Sequence, residues 1–246
     1  MKTNLHYIAL LLFLIANACS SENAFDCIKK TGDIKTILVN DFSEFNDLVI
    51  HDDITLELIE DESEYFEVIY GENLIPKIKF VSDKDSLLIY NENFCGWTRD
   101  YQKPLVRWHT TKELVNIKSL SSGNIFNNDT LGVNLQIEAK DISNKVELTV
   151  NSENILLISN SISNFKVIGH CQRLTVRSYF SDSHFELGQL QCSRVNVLQR
   201  GYNDIIVNPS DSLVGSIENA GRVMYYGSPG IKMVVENGGE LIKLEK

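Results

Sequence analysis

Cys171-Gln172-Arg173-Leu174-Thr175-Val176 and, 21 residues later, Cys192-Ser193-Arg194-Val195-Asn196-Val197 share one pattern, Cys-x-Arg-aliphatic-x-Val. On either side the apolar residues keep the same beat. Leu114, Leu135, Leu156, Val176, Val197 and Ile217 form one series, and Ile125, Val146, Phe165, Phe185, Ile205 and Val223 another, both stepping by about 20 residues. Self-similarity at a fixed period of this length marks a repeat architecture in which each unit is too small to fold alone and must stack on its neighbours. Within a unit the apolar residues alternate, the period of a half-buried strand. Leucine-rich repeats would need an L-x-x-L-x-L run with Asn, which is missing. Antiparallel meanders give closely spaced strands but require no matching register two strands later. A parallel β-solenoid requires it, because each coil lays its strands over those of the coil before, about 4.8 Å away. The fold class read from the sequence is therefore all-β: a parallel solenoid, right-handed and β-helix-like, with turns of about 20 residues.

Composition agrees. Beyond residue 18 only Ala24, Ala139 and Ala220 are alanine, while Ile, Val, Asn and Ser abound, which disfavours helices and favours strands joined by polar turns. With 23 Lys plus Arg against 33 Asp plus Glu, the net charge is −10. A nucleic acid is thereby excluded as partner, since phosphates demand an excess of clustered cations.

Lys2 followed by the apolar run Tyr7 to Ala16 reads as a secretory leader, too short to span a bilayer as a helix. Ala16-Asn17-Ala18 suits ordinary signal peptidase, and Ala18-Cys19 followed by polar residues resembles a lipobox. The expectation is cleavage after residue 18, acylation of Cys19 and anchoring to the outer membrane by lipid, with a secreted chain carrying a free Cys19 as the alternative. Cys27, Cys95, Cys171 and Cys192 remain, and none forms a C-x-x-C pair. Three pairings are open. Cys27 and Cys95 lie in irregular polar stretches, so the expected disulfide joins them; Cys171 and Cys192 are expected to stack one coil apart, where a bridge is permitted but not required.

The N-terminal part is less regular. Val49, Val68 and Leu88 repeat at 19 and 20 residues, so residues 45–112 either join the solenoid or form a separate antiparallel β lobe. The division expected is a leader (1–18), tether and N-terminal cap (19–44), N-terminal β region (45–112), repeats (113–230) and a C-terminal cap (231–246) that closes an otherwise sticky open end. Phe45-Asn46-Asp47-Leu48-Val49-Ile50, Tyr70-Gly71-Glu72-Asn73-Leu74, Cys95-Gly96-Trp97-Thr98-Arg99, Ser122-Gly123-Asn124-Ile125, Tyr226-Gly227-Ser228-Pro229 and Gly238-Gly239 together resemble the head GIN domain family of Gram-negative auto-transporter adhesins, many of them lipoproteins. The chain departs from it where Gly-Ser-Gly turns are usual. The resemblance implies a coiled all-β fold at the cell surface and no catalytic residues.

No two histidines have metal-ligand spacing, and no cofactor or metal site is expected. Seven acids between Asp52 and Glu64 read as a solvated turn without a calcium-loop pattern. Trp97, Arg99 and Trp108, with Tyr101, Lys103 and Arg107 nearby, are the candidate contacts for an extracellular glycan or protein; the competing assignment is burial over the end of a core. Alternation sends Asp182, His184 and Glu186 outward, near Arg200 and Asp204. The alternative function is a polysaccharide hydrolase or lyase that uses this outward face around Asp182 and His184. The favoured function is a non-enzymatic binding or structural module.

Overall fold

The computed structural model describes residues 30–93, 102–140, 143–179 and 182–245. Its strands in chain order are β1 (Ile34–Val39), β2 (Asp47–Asp52), β3 (Thr55–Glu60), β4 (Tyr65–Gly71), β5 (Ile78–Asp83), β6 (Ser86–Asn91), β7 (Leu105–Thr110), β8 (Leu114–Ser121), β9 (Ile125–Phe126), β10 (Asn134–Lys140), β11 (Lys145–Asn160), β12 (Asn164–Ser178), β13 (His184–Gln199), β14 (Asp204–Ile217), β15 (Arg222–Tyr225), β16 (Gly230–Val235) and β17 (Glu240–Lys243). One 3-10 turn, Ile75–Lys77, precedes β5.

The repeats form a parallel solenoid with two faces. On face 1 the inward residues Val115, Leu135, Ile155, Leu174, Val195, Leu213 and Ile231 lie over one another through β8, β10, β11, β12, β13, β14 and β16, six turns in steps of 18 to 21 residues. On face 2 the column is Leu56, Ile125, Val146, Phe165, Phe185, Ile205, Val223 and Leu241. Strands β11 to β14 are long because each crosses from face 2 to face 1 around a corner, the parallel ladder resuming on face 1 after register shifts between β12, β13 and β14. Alternation places every second residue in the core, as in β10, where Leu135, Ile137 and Ala139 are buried between half-exposed neighbours. Each fully buried Leu, Ile, Val or Phe contributes about 1.5–3 kcal/mol, and no single coil buries enough of them to stand alone.

The second series read from the sequence is the true register of face 2. The first is not that of face 1. Leu114 is exposed, and Leu135 pairs with Val115 and Ile155 rather than with Leu114 and Leu156.

The opposite corner, from face 1 to face 2, has a polar interior. Ser119, Ser121, Ser159, Ser163, Ser178 and Ser183 are buried there. Their hydroxyls serve the bent backbone: Ser121 Oγ accepts from Gly123 N–H at 3.0 Å, Ser183 Oγ accepts from Ser163 N–H at 3.1 Å, and Ser159 Oγ meets Ser183 Oγ at 2.5 Å. A buried corner cannot leave its amides unpaired, and serine is the smallest side chain that pairs them.

The N-terminal region is part solenoid and part lobe. β2 and β3 run parallel to β8 and β9 as a further coil. β6 and β7 add parallel rungs to β2 and β3, after which the direction reverses: β5 is antiparallel to β6, β4 to β7 and β1 to β4. Val49 does pair with Leu88, but Val68 lies on the other face against Val106 and Ile37. At the far end β16 and β17 add one more parallel coil rather than folding across the stack, which leaves Ile231 45% exposed at a position that is buried in the coil below.

Candidate functional site

A groove of about 610 Å³ runs on the outside of face 2, lined by Lys166, Ile168, Glu186, Gly188, Gln189, Ile206, Tyr226 and Glu245. Its floor follows from the ladder: Glu147, Lys166, Glu186, Ile206, Met224 and Ile242 stack in register, so charge alternates and then gives way to aliphatic surface. Its shape follows from a bulge. Between Glu186 and Gln191, β13 carries extra residues relative to β14, and such insertions bend a strand away from the sheet. Gly188 sits in the bulge, where a Cβ would come 2.8 Å from the Tyr226 ring and 3.2 Å from Ile206. Only glycine lets that ring lie against the strand. A second hollow of about 350 Å³ continues the groove past Lys145, Glu147, Asn164 and His184.

Two carboxylates here, Glu147 and Glu186, each have a basic neighbour, while Lys166 has no ion pair among the described residues. Lys145 Nζ lies 2.8 Å from Glu147 Oε1, and His184 Nε2 lies 3.5 Å from Glu186 Oε1. Asp182, His184 and Glu186 do share one side, as alternation requires. Arg200 and Asp204 do not converge on them: Arg200 Nε bonds Glu218 at 2.6 Å and Arg222 Nε bonds Asp204 at 2.7 Å. The Arg200 guanidinium holds the Glu218 carboxyl below its ordinary range.

A second polar cluster clasps the lobe to the solenoid. The Glu57 carboxylate is nearly buried and accepts from Arg107 Nε at 2.7 Å and from Asn128 Nδ2 at 2.5 Å; Arg107 Nη1 also reaches Glu67 at 3.2 Å. The two carboxylates raise the Arg107 pKa. His109 Nδ1 lies 2.8 Å from Asp61 Oδ2, and its ring stacks on Tyr65 with centroids 4.1 Å apart. That hydrogen bond holds the Asp61 carboxyl below its ordinary range. The acids between Asp52 and Glu64 are therefore largely structural partners: Glu60 Oε2 accepts from Gly132 N–H, Glu64 lies 3.4 Å from Lys112, and Asp52 Oδ2 accepts from Asn91 N–H.

Of the residues singled out from the sequence, Cys19, Cys27, Cys95, Trp97 and Arg99 lie outside the described residues. Trp108 is a correction. It is fully buried, packed on Phe45 and stacked on Phe66, with its indole N–H donating to Glu64 Oε1 at 3.3 Å, and it belongs to the core rather than to a contact surface. Its even position on β7 points inward with Val106. Cys171 and Cys192 form a disulfide across adjacent rungs, Cα to Cα 4.6 Å. Sequence reasoning missed the groove itself. Its one available signal was the Tyr226-Gly227 turn, where Gly227 adopts a positive φ of 85° and Tyr226 supplies the aromatic wall.

Residues 44–229 match the family described as "Putative auto-transporter adhesin, head GIN domain". Among solved structures, a "putative adhesin" from Bacteroides fragilis superposes with a TM-score of 0.72 at 15% identity, covering 86% of this chain and 97% of its own. A "putative lipid binding protein" from Parabacteroides distasonis gives 0.61 at 16% identity over 87% and 98%, and a "putative adhesin" from Parabacteroides merdae gives 0.54 at 16% identity over 88% and 98%. At these identities the likeness establishes the fold. No curated protein matches the chain.

Proposed function

Because the chain belongs to the head GIN domain family, we propose that it is a non-enzymatic binding module of the cell envelope, held to the outer membrane through a lipidated Cys19, that takes an extracellular glycan along the groove on face 2. The observation that carries this reading is the groove's lining: a tyrosine ring and isoleucines beside a few charged side chains, Lys166, Glu186 and Glu245. A flat apolar wall with a polar margin suits the face and hydroxyl edge of a sugar ring. Hydrolysis would need two carboxylates converging on one bond, or a base facing a nucleophile. Beside His184 the carboxylate within ion-pair distance among the described residues is Glu186 alone, while Glu147, Glu218 and Asp204 are engaged with Lys145, Arg200 and Arg222.

A glycan array probed with the mature chain tests the reading. Binding that falls at least ten-fold in Tyr226→Ala while the fold persists supports it. Turnover of a polysaccharide by the wild type that disappears in the Asp182→Ala, His184→Ala double variant would overturn it in favour of an enzyme. Mass spectrometry of protein made in a Gram-negative host tests the anchor: an acylated Cys19 is expected, and an unmodified Cys19 in membrane-free protein refutes it.

A further inference from the structure

Six arginines lie among the described residues, and they divide by partner. Arg107, Arg200 and Arg222 each bond a carboxylate at 2.7 Å or closer. Arg173, Arg177 and Arg194 have no ion pair among the described residues, and all three point outward from face 1 on neighbouring rungs. Arg173 lies directly over Arg194, about 4.8 Å along the stack, and Arg177 is four residues further along β12, about 13 Å away. From the face 1 half of β11 through β16 the outward strand positions hold these arginines and Lys232 but no Asp or Glu; Glu153 and Asp211 sit at the corner before them, and Glu218, paired with Arg200, and Glu236 sit at the corner after them. In a chain of net charge −10 this is an isolated cationic strip.

Folding gains nothing from it. Like charges directly opposite on neighbouring strands destabilise a sheet, yet here the two rungs are bolted together. The Cys171–Cys192 disulfide lies two residues before each arginine. Arg173 is also aimed: its Nε donates to Asn154 Oδ1 at 2.5 Å, and Asn154 Nδ2 donates to Asn134 Oδ1 at 3.2 Å. That ladder uses the inner edge of the guanidinium and leaves its terminal nitrogens to solvent.

We infer that Arg173, Arg177 and Arg194 form a second contact surface, for a polyanionic polysaccharide bearing carboxylate or sulfate groups. The inference rests on the binding-module reading but not on the groove. Guanidinium forks match oxyanions in a bidentate geometry. Cations spread over a flat face suit successive groups of a polymer rather than one small anion in a pocket. The neighbours Asn154, Thr175 and Asn196 offer hydrogen bonds to hydroxyls. A nucleic acid fits poorly, because the strip presents no row of outward aromatic residues on which successive bases could stack; Tyr179, at the end of Arg177's rung, already lies under the Arg200 guanidinium.

The test measures binding of the mature chain to immobilised polygalacturonate and dextran sulfate, with uncharged dextran and poly-glutamate as comparators. Wild type should bind one or both polyanionic glycans, more weakly as salt rises, and bind dextran and poly-glutamate far less. Each of Arg173→Gln and Arg194→Gln should lose about ten-fold in affinity, the weight of one charged hydrogen-bonding contact. Arg222→Gln, on face 2, should bind the polyanions as wild type does. Unchanged binding in the Arg173→Gln, Arg194→Gln double variant overturns the inference, as does equal affinity for poly-glutamate, which would make the partner an acidic protein. Binding of neutral glycans through Tyr226 without any affinity for the polyanions overturns it while the groove reading stands. Thermal unfolding of each variant shows that the fold is kept.

Discussion

Phe185 lies at the centre of the face 2 column, wholly buried, with its ring stacked on Phe165 at a centroid distance of 4.6 Å and an interplanar angle of 9°. Replacing it with alanine removes the ring from a site enclosed by Phe165 below and Ile205 above. A buried Phe→Ala change costs about 3–5 kcal/mol. The upper half of that range is expected here, because paired rungs on both sides prevent the walls from collapsing into the void. Against a typical domain stability of about 5–15 kcal/mol, the loss removes a large share of the total. Urea unfolding followed by far-ultraviolet circular dichroism reads it as a fall in midpoint at nearly constant slope. The stack itself is separable. A double-mutant cycle with Phe165→Ala should return a coupling of about 0.5–1.5 kcal/mol, while Glu186→Ala, next in sequence but outward, should stay within about 0.5 kcal/mol. A loss below about 1 kcal/mol in Phe185→Ala would mean that the column is not close-packed and that the reasoning from register to core is wrong.

Removing the disulfide by Cys171→Ser with Cys192→Ser should lower stability by about 3 kcal/mol, the loop-closure entropy of a 21-residue separation, and equal urea midpoints in the two proteins would refute this. Arg107→Met strands the buried Glu57 carboxylate; since the Arg107 side chain is 38% exposed, the expected cost is about 2–3 kcal/mol, below that of a fully buried pair, and a neutral result in denaturant would show that Asn128 alone satisfies Glu57. Burial holds the His51 imidazole below its ordinary 6.5, with Asp52 opposing in part. The unfolded chain therefore takes the proton first, and the stability contributed by neutral His51 is whole above pH 6.5 and declines as the pH falls below it. His51→Phe, which keeps the stack on Tyr90, should flatten that decline, and an unchanged pH profile would sink the assignment.

The face 2 column could be read from the sequence because Val146, Phe165 and Phe185 stand between polar residues, so alternation identifies the inward side there, and the step of about 20 residues carries the register on to Ile125, Ile205 and Val223. Face 1 could not be read to the residue. Ile155-Leu156-Leu157-Ile158 and Leu114-Val115 are apolar on both sides, and a one-residue slip there exchanges core for surface. Alternation is also the same in parallel and antiparallel strands, which is why residues 45–112 could be read either as solenoid or as an antiparallel lobe while the Val49 and Leu88 register was legible. The buried serines misled in the other direction: Ser159 and Ser183 look like surface turn residues, and only the geometry of a closed corner makes them interior. Trp108 shows how little exposure can be inferred from an aromatic beside basic residues, since its neighbours Arg107 and His109 point the opposite way along the same strand.

The two outer faces follow a different logic from the core. In a solenoid, any outward position is repeated one rung later, so a substitution there changes the surface and leaves the column beneath it intact. Several charges on face 2 have settled into pairs, across rungs in Arg222 with Asp204 and along one strand in Lys145 with Glu147. Such surface pairs contribute at most about 1 kcal/mol each, so their arrangement mainly sets the potential that an approaching ligand meets. Face 1 keeps its arginines unpaired and places its covalent bridge beside two of them. Stability alone would favour a carboxylate at Asn154 or Asn196, within reach of the guanidinium groups. Neutral amides at both positions leave the positive potential of the strip undiminished, as recognition of an anionic partner requires.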